Sequence, residues 1–131
     1  MDYSKLSDFE INKRVSICIH PDIKNWNCYD VSGRACFVIN EGTPKRVQYG
    51  FSFTSDPADA WPIIVGHKLS LINADNEWLC VPDDTAVDGT TGDDVQMIYS
   101  GDGHVHANPL RAAMVVFLTL QESANAQDNP A

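Results

Sequence analysis

The stretch NPLRAAMVVFL, residues 108–118, decides the fold. Asn108 is a residue type that caps helix starts, and Pro109 suits the first helical position, where no N–H is needed. From Leu110 to Leu120 the segment is apolar on nearly every side. A helix of that kind must be covered by more than one layer. Two further helix starts stand earlier in the chain. In SDFEINKRV (residues 7–15) Ser7 and Glu10 have the spacing of a capping box, and Leu6 can staple onto Ile11. Ile11, Val15, Cys18 and Ile19 then share one face at helical spacing, and Pro21 marks the end. In DPADAWPIIV (residues 56–65) Asp56 suits the cap, Pro57 the first position, and Asp59 adds negative charge to the first turn. Pro62 removes a hydrogen bond inside this helix, which predicts a kink or a short helix. Gly66 is a natural stop, followed by His67 and Lys68 where the helix dipole favours positive charge.

The segments between these helices read as strands. Residues 25–53 have strand character, with Arg34–Ile39 apolar and β-branched and Glu41-Gly42-Thr43-Pro44 a turn. Val47, Tyr49, Phe51 and Phe53 alternate with Gln48, Gly50 and Ser52, the period of a half-buried strand that pairs as a hairpin with Arg34–Ile39. Leu69–Ile72 and Trp78–Val81 flank the polar turn Asn73-Ala74-Asp75-Asn76 as a second hairpin. Pro82–Thr91 reads as a loop, Val95–Tyr99 as a final strand and Ser100–His106 as a glycine-containing loop. Gln121–Ala131 is polar, so the domain is expected over residues 1–122 with a fraying tail over 123–131. The expected fold is a single α+β domain, three helices packed on a small, mostly antiparallel sheet, in the order helix, hairpin, helix, hairpin, strand, helix.

Composition bounds the function. A chain of 131 residues suits one domain and buries roughly two thirds of its surface on folding. A hydrophobic content of 44% is incompatible with a wholly disordered chain. The longest apolar run, Ala112–Leu118, is far below the ~20 residues of a membrane span, and the opening MDYSKLSDFE lacks the pattern of a signal peptide. Cys18, Cys28, Cys36 and Cys80 show no C-x-x-C spacing, so buried free thiols in a reducing cytosol are expected, and no metal is needed for folding. The net charge is −9, and its placement is uneven. Residues 1–72 hold as many acids as bases, whereas Asn73–Gly103 contains acids and no Lys or Arg. That disfavours binding to a phosphate backbone. A solvated face is the plainer reading; a basic partner, a metal cation or mimicry of DNA charge are the functional ones.

Few residues invite chemistry. His104 and His106, at i and i+2 and close to Asp102, could hold zinc if extended, but the pattern is too common to be specific and two solvated loop histidines are the plainer reading. The aspartates of Asp83–Asp94 lack the alternating ligands and closing glutamate of a calcium loop. His20 reads as a helix-end residue. Arg111 sits in the first turn of an apolar helix, where the dipole disfavours a cation. It therefore needs a carboxylate, with Asp56, Asp59 or Glu10 as the expected partner and a ligand contact as the alternative. Trp61 reads as a core residue, with an aromatic anchor for a partner as the alternative. Phosphate-binding, nucleophile-elbow and zinc-protease motifs are missing, and Gly101 and Gly103 lack the rest of a dinucleotide fingerprint.

The three helical segments together resemble the NinX family of small proteins of lambdoid phages and prophages, and more distantly small phage domains of α-β-α sandwich type. The resemblance covers the N-terminal segment, the middle and the C-terminal helix, leaving Asp22–Thr54 and Asn73–His106 between the matched blocks. It implies a phage or prophage accessory protein in the cytoplasm of a bacterial host and brings no activity with it. The expected mode of action is binding to another macromolecule, a host or phage protein or a second copy of the chain, through Arg111, Trp61 and Asp59. No cofactor and no membrane are expected. A small metal-dependent hydrolase built on His104, His106 and Asp102 is the alternative, and an acidic DNA mimic the third reading.

Overall fold

The computed structural model describes residues 1–82, 86–88, 96–98 and 103–128. Each predicted helix start is found. Ser7 Oγ accepts from Glu10 N–H at 3.1 Å and opens α1, Asp8–Ile19. The return bond from the Glu10 side chain is not formed among the described residues, so half of the capping box is present. Leu6 packs against the cluster that contains Ile11. After the short 3-10 turn Pro21–Ile23, three antiparallel strands follow: β1 (Asn27–Val31), β2 (Arg34–Ile39) and β3 (Val47–Phe51), in the order β1-β2-β3. Asp56 then caps α2, Pro57–Gly66, through Ala58 N–H at 2.9 Å. β4 (Ser70–Ala74) and β5 (Glu77–Val81) form the second predicted hairpin around Asp75, which takes a left-handed φ of 60°. β6 (Ala86–Asp88) and β7 (Gln96–Ile98) pair with each other, and β8 (His104–His106) joins β5. Asn108 Oδ1 accepts from Leu110 N–H at 3.0 Å and Arg111 N–H at 3.3 Å and starts α3, Pro109–Asp128.

The class is α+β as expected, but the strands divide between two three-stranded antiparallel sheets and one separate pair. α3 is the centre. Ala112–Leu118 are all buried, covered by Ile11 and Val15 of α1, by Ala60, Ile63 and Ile64 of α2, and by Cys80 of β5. The apolar girth of this segment is thus matched by cover from two helices and a sheet. A smaller cluster, Ile23, Ala35 and Phe37, lies where β2 meets α1, and Phe51 packs against both clusters.

Two local readings need correction. The segment His104–His106 is a strand, not a loop: Cys80 pairs with His104, Leu79 with Val105 and Trp78 with His106. The glycine before it serves close approach, since a Cβ on Gly103 would stand 3.3 Å from the Cys80 carbonyl oxygen. Ala86–Asp88 is likewise a strand inside the expected loop. α3 runs on to Asp128.

The buried face of α1 also differs. It is Ile11, Asn12, Val15 and Ser16, while Cys18 and Ile19 are exposed. Apolar periodicity missed Asn12, which is fully buried. Its Oδ1 accepts from Phe53 N–H at 2.7 Å and Thr54 N–H at 3.1 Å. Its Nδ2 donates to Gly33 O at 2.9 Å and Thr54 Oγ1 at 3.1 Å. The carboxamide therefore satisfies the backbone of two connections that no secondary structure serves. Asn12→Leu leaves those groups unpaired at roughly 1–3 kcal/mol each, so a loss of at least about 3 kcal/mol is expected. Thermal unfolding should show a melting temperature lower by roughly 10 °C. A variant as stable as the parent would show that water or rearrangement replaces these bonds.

Candidate functional site

Two places hold the residues the sequence singled out. The first is the start of α3. Arg111 is almost enclosed, with its side chain 11% exposed. Its Nη1 donates to Asp8 Oδ1 at 2.5 Å, and its Nη2 to Leu6 O at 2.5 Å and Ser4 O at 3.1 Å. The partner is thus Asp8, not Asp56, Asp59 or Glu10. Asp56 is committed to the α2 cap, and Asp59 Oδ2 accepts from Ser52 N–H at 3.0 Å. With two carbonyls and a carboxylate on its guanidinium, Arg111 clamps the chain before α1 onto α3 and has little left for a ligand.

His104 and His106 lie beside it on one face of β8, as their spacing predicts. They do different work. His106 Nδ1 accepts from Asn108 N–H at 2.8 Å and so supports the start of α3. His104 Nε2 is buried without a hydrogen-bond partner. Burial, then His106 and Arg111, hold the His104 imidazole below its ordinary pKa, with Asp2 acting weakly the other way. Cys80, paired across from His104, is pushed up to about 12 by burial and stays a thiol. A cation here would face Arg111 without a thiolate to hold it. Asp102 lies outside the described residues, and among the described residues no three His, Cys, Asp or Glu side chains gather as a metal-ligand set.

The second place is the outer side of α2. Trp61 is not in the core: it is 61% exposed, and Val65 is 54% exposed. α2 buries Ala60, Ile63 and Ile64. At roughly 100° per residue, Trp61 and Val65 fall away from that side. Next to them runs a groove in two joined parts. One, of about 400 Å³, lies between the end of α1, Phe51 and Phe53, and Asp59, Pro62 and Gly66 of α2. The other, of about 360 Å³, is lined by His20, Asp22, Ile23, Tyr49 and Phe51.

Aromatic rings run along the groove, and His20 and Phe51 line both parts. Trp26 stacks on Tyr49 (5.6 Å), His20 on Phe51 (5.2 Å) and Phe51 on Phe53 (5.7 Å). The alternation of Tyr49, Phe51 and Phe53 announced one face of a strand, but not that this face is only partly covered. β3 is the edge of its sheet, so Tyr49 stays half exposed.

Over residues 2–121 the sequence matches the family described as Bacteriophage P22, NinX. The match includes Asp22–Thr54 and Asn73–His106, which connect the helical segments, so the groove and the histidine strand both fall within it. No curated protein and no solved structure matches the chain.

The clamp and the histidine each have a measurable consequence. Asp8 is half exposed, so Asp8→Asn should cost about 1 kcal/mol or less, as exposed ion pairs do. Arg111→Met strands two carbonyls and should cost about 2–3 kcal/mol. This reverses the order expected for a buried carboxylate partner, and urea unfolding of the two variants checks it. For His104, the unfolded chain takes up its proton first as pH falls through about 6.5, while the folded chain resists until its lower pKa. Stability is therefore highest above that range, declines as pH falls through it, and levels off below the folded pKa. His104→Gln should flatten this part of the profile between about pH 8 and about pH 5; parallel profiles for both proteins would contradict the assignment.

Proposed function

The chain belongs to the bacteriophage P22 NinX family, and from that premise we propose a phage accessory protein that works by binding another protein through the outer side of α2. The observation that carries this reading is Trp61. A tryptophan left 61% exposed on a helix with a well-buried opposite side has no role in the core. Exposed Trp beside Val is the composition of an interface anchor, since large apolar side chains supply most binding energy once a partner excludes water. Asp59 supports the same face by fixing the approach to α2 through Ser52. Arg111, read from the sequence as a second binding residue, contributes through the clamp rather than through contact.

The partner is a protein of the host or of the phage, or a second copy of the chain, met inside the infected cell. Among the described residues no helix is long and apolar enough to cross a membrane. Nothing specific favours the hydrolase or the DNA mimic.

Affinity capture from phage-producing cells, with the parent and a Trp61→Glu, Val65→Glu variant of unchanged melting temperature, tests the proposal. The parent should retain a protein that the variant loses. Sedimentation of the purified parent and variant distinguishes a second copy, which would make the parent alone self-associate. Identical captured proteins and identical sedimentation for both would remove the α2 face from the function.

A further inference from the structure

We propose that the groove beside α2 receives an arginine side chain carried by an extended segment of the partner protein. The proposal deepens the protein-binding reading and rests on it. Its first support is the wall of the groove. Tyr49 and His20 are exposed aromatic rings lining the groove, and His20 is stacked on Phe51 at an interplanar angle of 24°. Aromatic faces carry negative electrostatic potential and attract cations. A planar guanidinium lies against such a face better than a compact ammonium does.

Charge is the second support. Asp22 lines one part of the groove and Asp59 the other, and no Lys or Arg lines either part among the described residues. Ser52 N–H holds one oxygen of Asp59, which fixes that carboxylate in place. A third acceptor comes from Pro62. Lacking an N–H, it leaves the Ala58 carbonyl without its usual helical donor, and Ala58 and Pro62 both line the groove. A guanidinium brings five donors in a fixed fork, which suits Asp59 beside the spare Ala58 carbonyl in one part of the groove, while Asp22 offers a carboxylate in the other. The same acceptors repel a phosphate, so nucleic acid does not fit here.

Access is the third support. β3 is an edge strand, and the residues of its groove-facing side, Tyr49 and Phe51, are two apart. A partner strand laid along this edge would pair through its backbone and place alternate side chains over the same side.

The probe is a capped peptide, acetyl-Val-Arg-Val-Arg-Val-amide, titrated into the full chain with aromatic and amide NMR signals observed. Signals of Tyr49, Phe51 and His20 should move. The peptide with citrulline in place of arginine has the same shape without charge and should bind roughly fivefold more weakly. A lysine peptide should fall between them. Asp22→Asn lies on an exposed side chain and should weaken the arginine peptide about fivefold while leaving the citrulline peptide unchanged. Equal binding of arginine and citrulline peptides overturns the proposal, and so does the absence of any shift at Tyr49 and Phe51 up to about 1 mM peptide. Either result leaves Trp61-dependent capture of a partner untouched. Loss of that dependence would instead remove the protein-binding reading itself.

Discussion

One buried carboxamide ties the fold together. Asn12 sits on the inner side of α1 and bonds to Gly33 at the β1–β2 turn and to Phe53 and Thr54 at the approach to α2. The network does not end there. Thr54 O accepts from Asn108 Nδ2 at 2.7 Å, and the oxygen of the same Asn108 side chain caps α3. His106 Nδ1 in turn accepts from the Asn108 backbone. Two asparagines and one threonine thus join the first helix, a hairpin turn, the start of the second helix and the start of the third. Hydrophobic burial is non-directional and would allow these helices to slide. A satisfied polar network in a low-dielectric interior fixes one arrangement, because any shift strands several groups together.

That arrangement sets the outer surface as well as the core. With Thr54 held by Asn12 and Ser52 held by Asp59, the first turn of α2 has one orientation. Ala60, Ile63 and Ile64 then face α3, and Trp61 and Val65 have no core to enter. Phe51 does the corresponding work on the strand side. It packs against both hydrophobic clusters, so the row Tyr49, Phe51, Phe53 is anchored in the middle and open towards the edge. The groove exists because an edge strand of one sheet runs beside a helix whose apolar side is turned away from it, towards α3.

Much of this was legible in the sequence where the signal is local. Ser7, Asp56 and Asn108 each cap a helix by bonding a backbone N–H two or three residues on, and such short-range contacts follow from sequence spacing alone. The two hairpins were legible for the same reason. Long-range pairing was not. Arg111 needed a carboxylate, and the sequence offered several; only the packing of α1 against α3 selects Asp8. Asn12 gave no signal because a buried polar residue inside an apolar period looks like a surface position. β8 was hidden because Gly103 reads as loop punctuation, whereas it lets the strand approach Cys80. Trp61 was misplaced because its size argues for burial and its neighbours on the helix decide otherwise. Asp102 and the aspartates from Asp83 to Asp94, other than Asp88 in β6, lie outside the described residues, so the acidic segment keeps only its charge as a reading.

The departures from local rules on α2 are themselves informative. Natural sequences agree with their fold at every level except where function demands otherwise. Pro62 breaks the hydrogen-bond ladder of a ten-residue helix, at a site where an ordinary residue would favour the helix by about 3 kcal/mol. Trp61, its neighbour, leaves the largest apolar side chain in water, where burial would have contributed roughly 2–3 kcal/mol. Both fall on α2, which borders the aromatic groove, and the proline leaves the Ala58 carbonyl there without its usual donor. Two losses of stability at adjacent positions of one helix accord with the proposed binding surface better than with selection for stability alone. Selection for stability alone would have removed both.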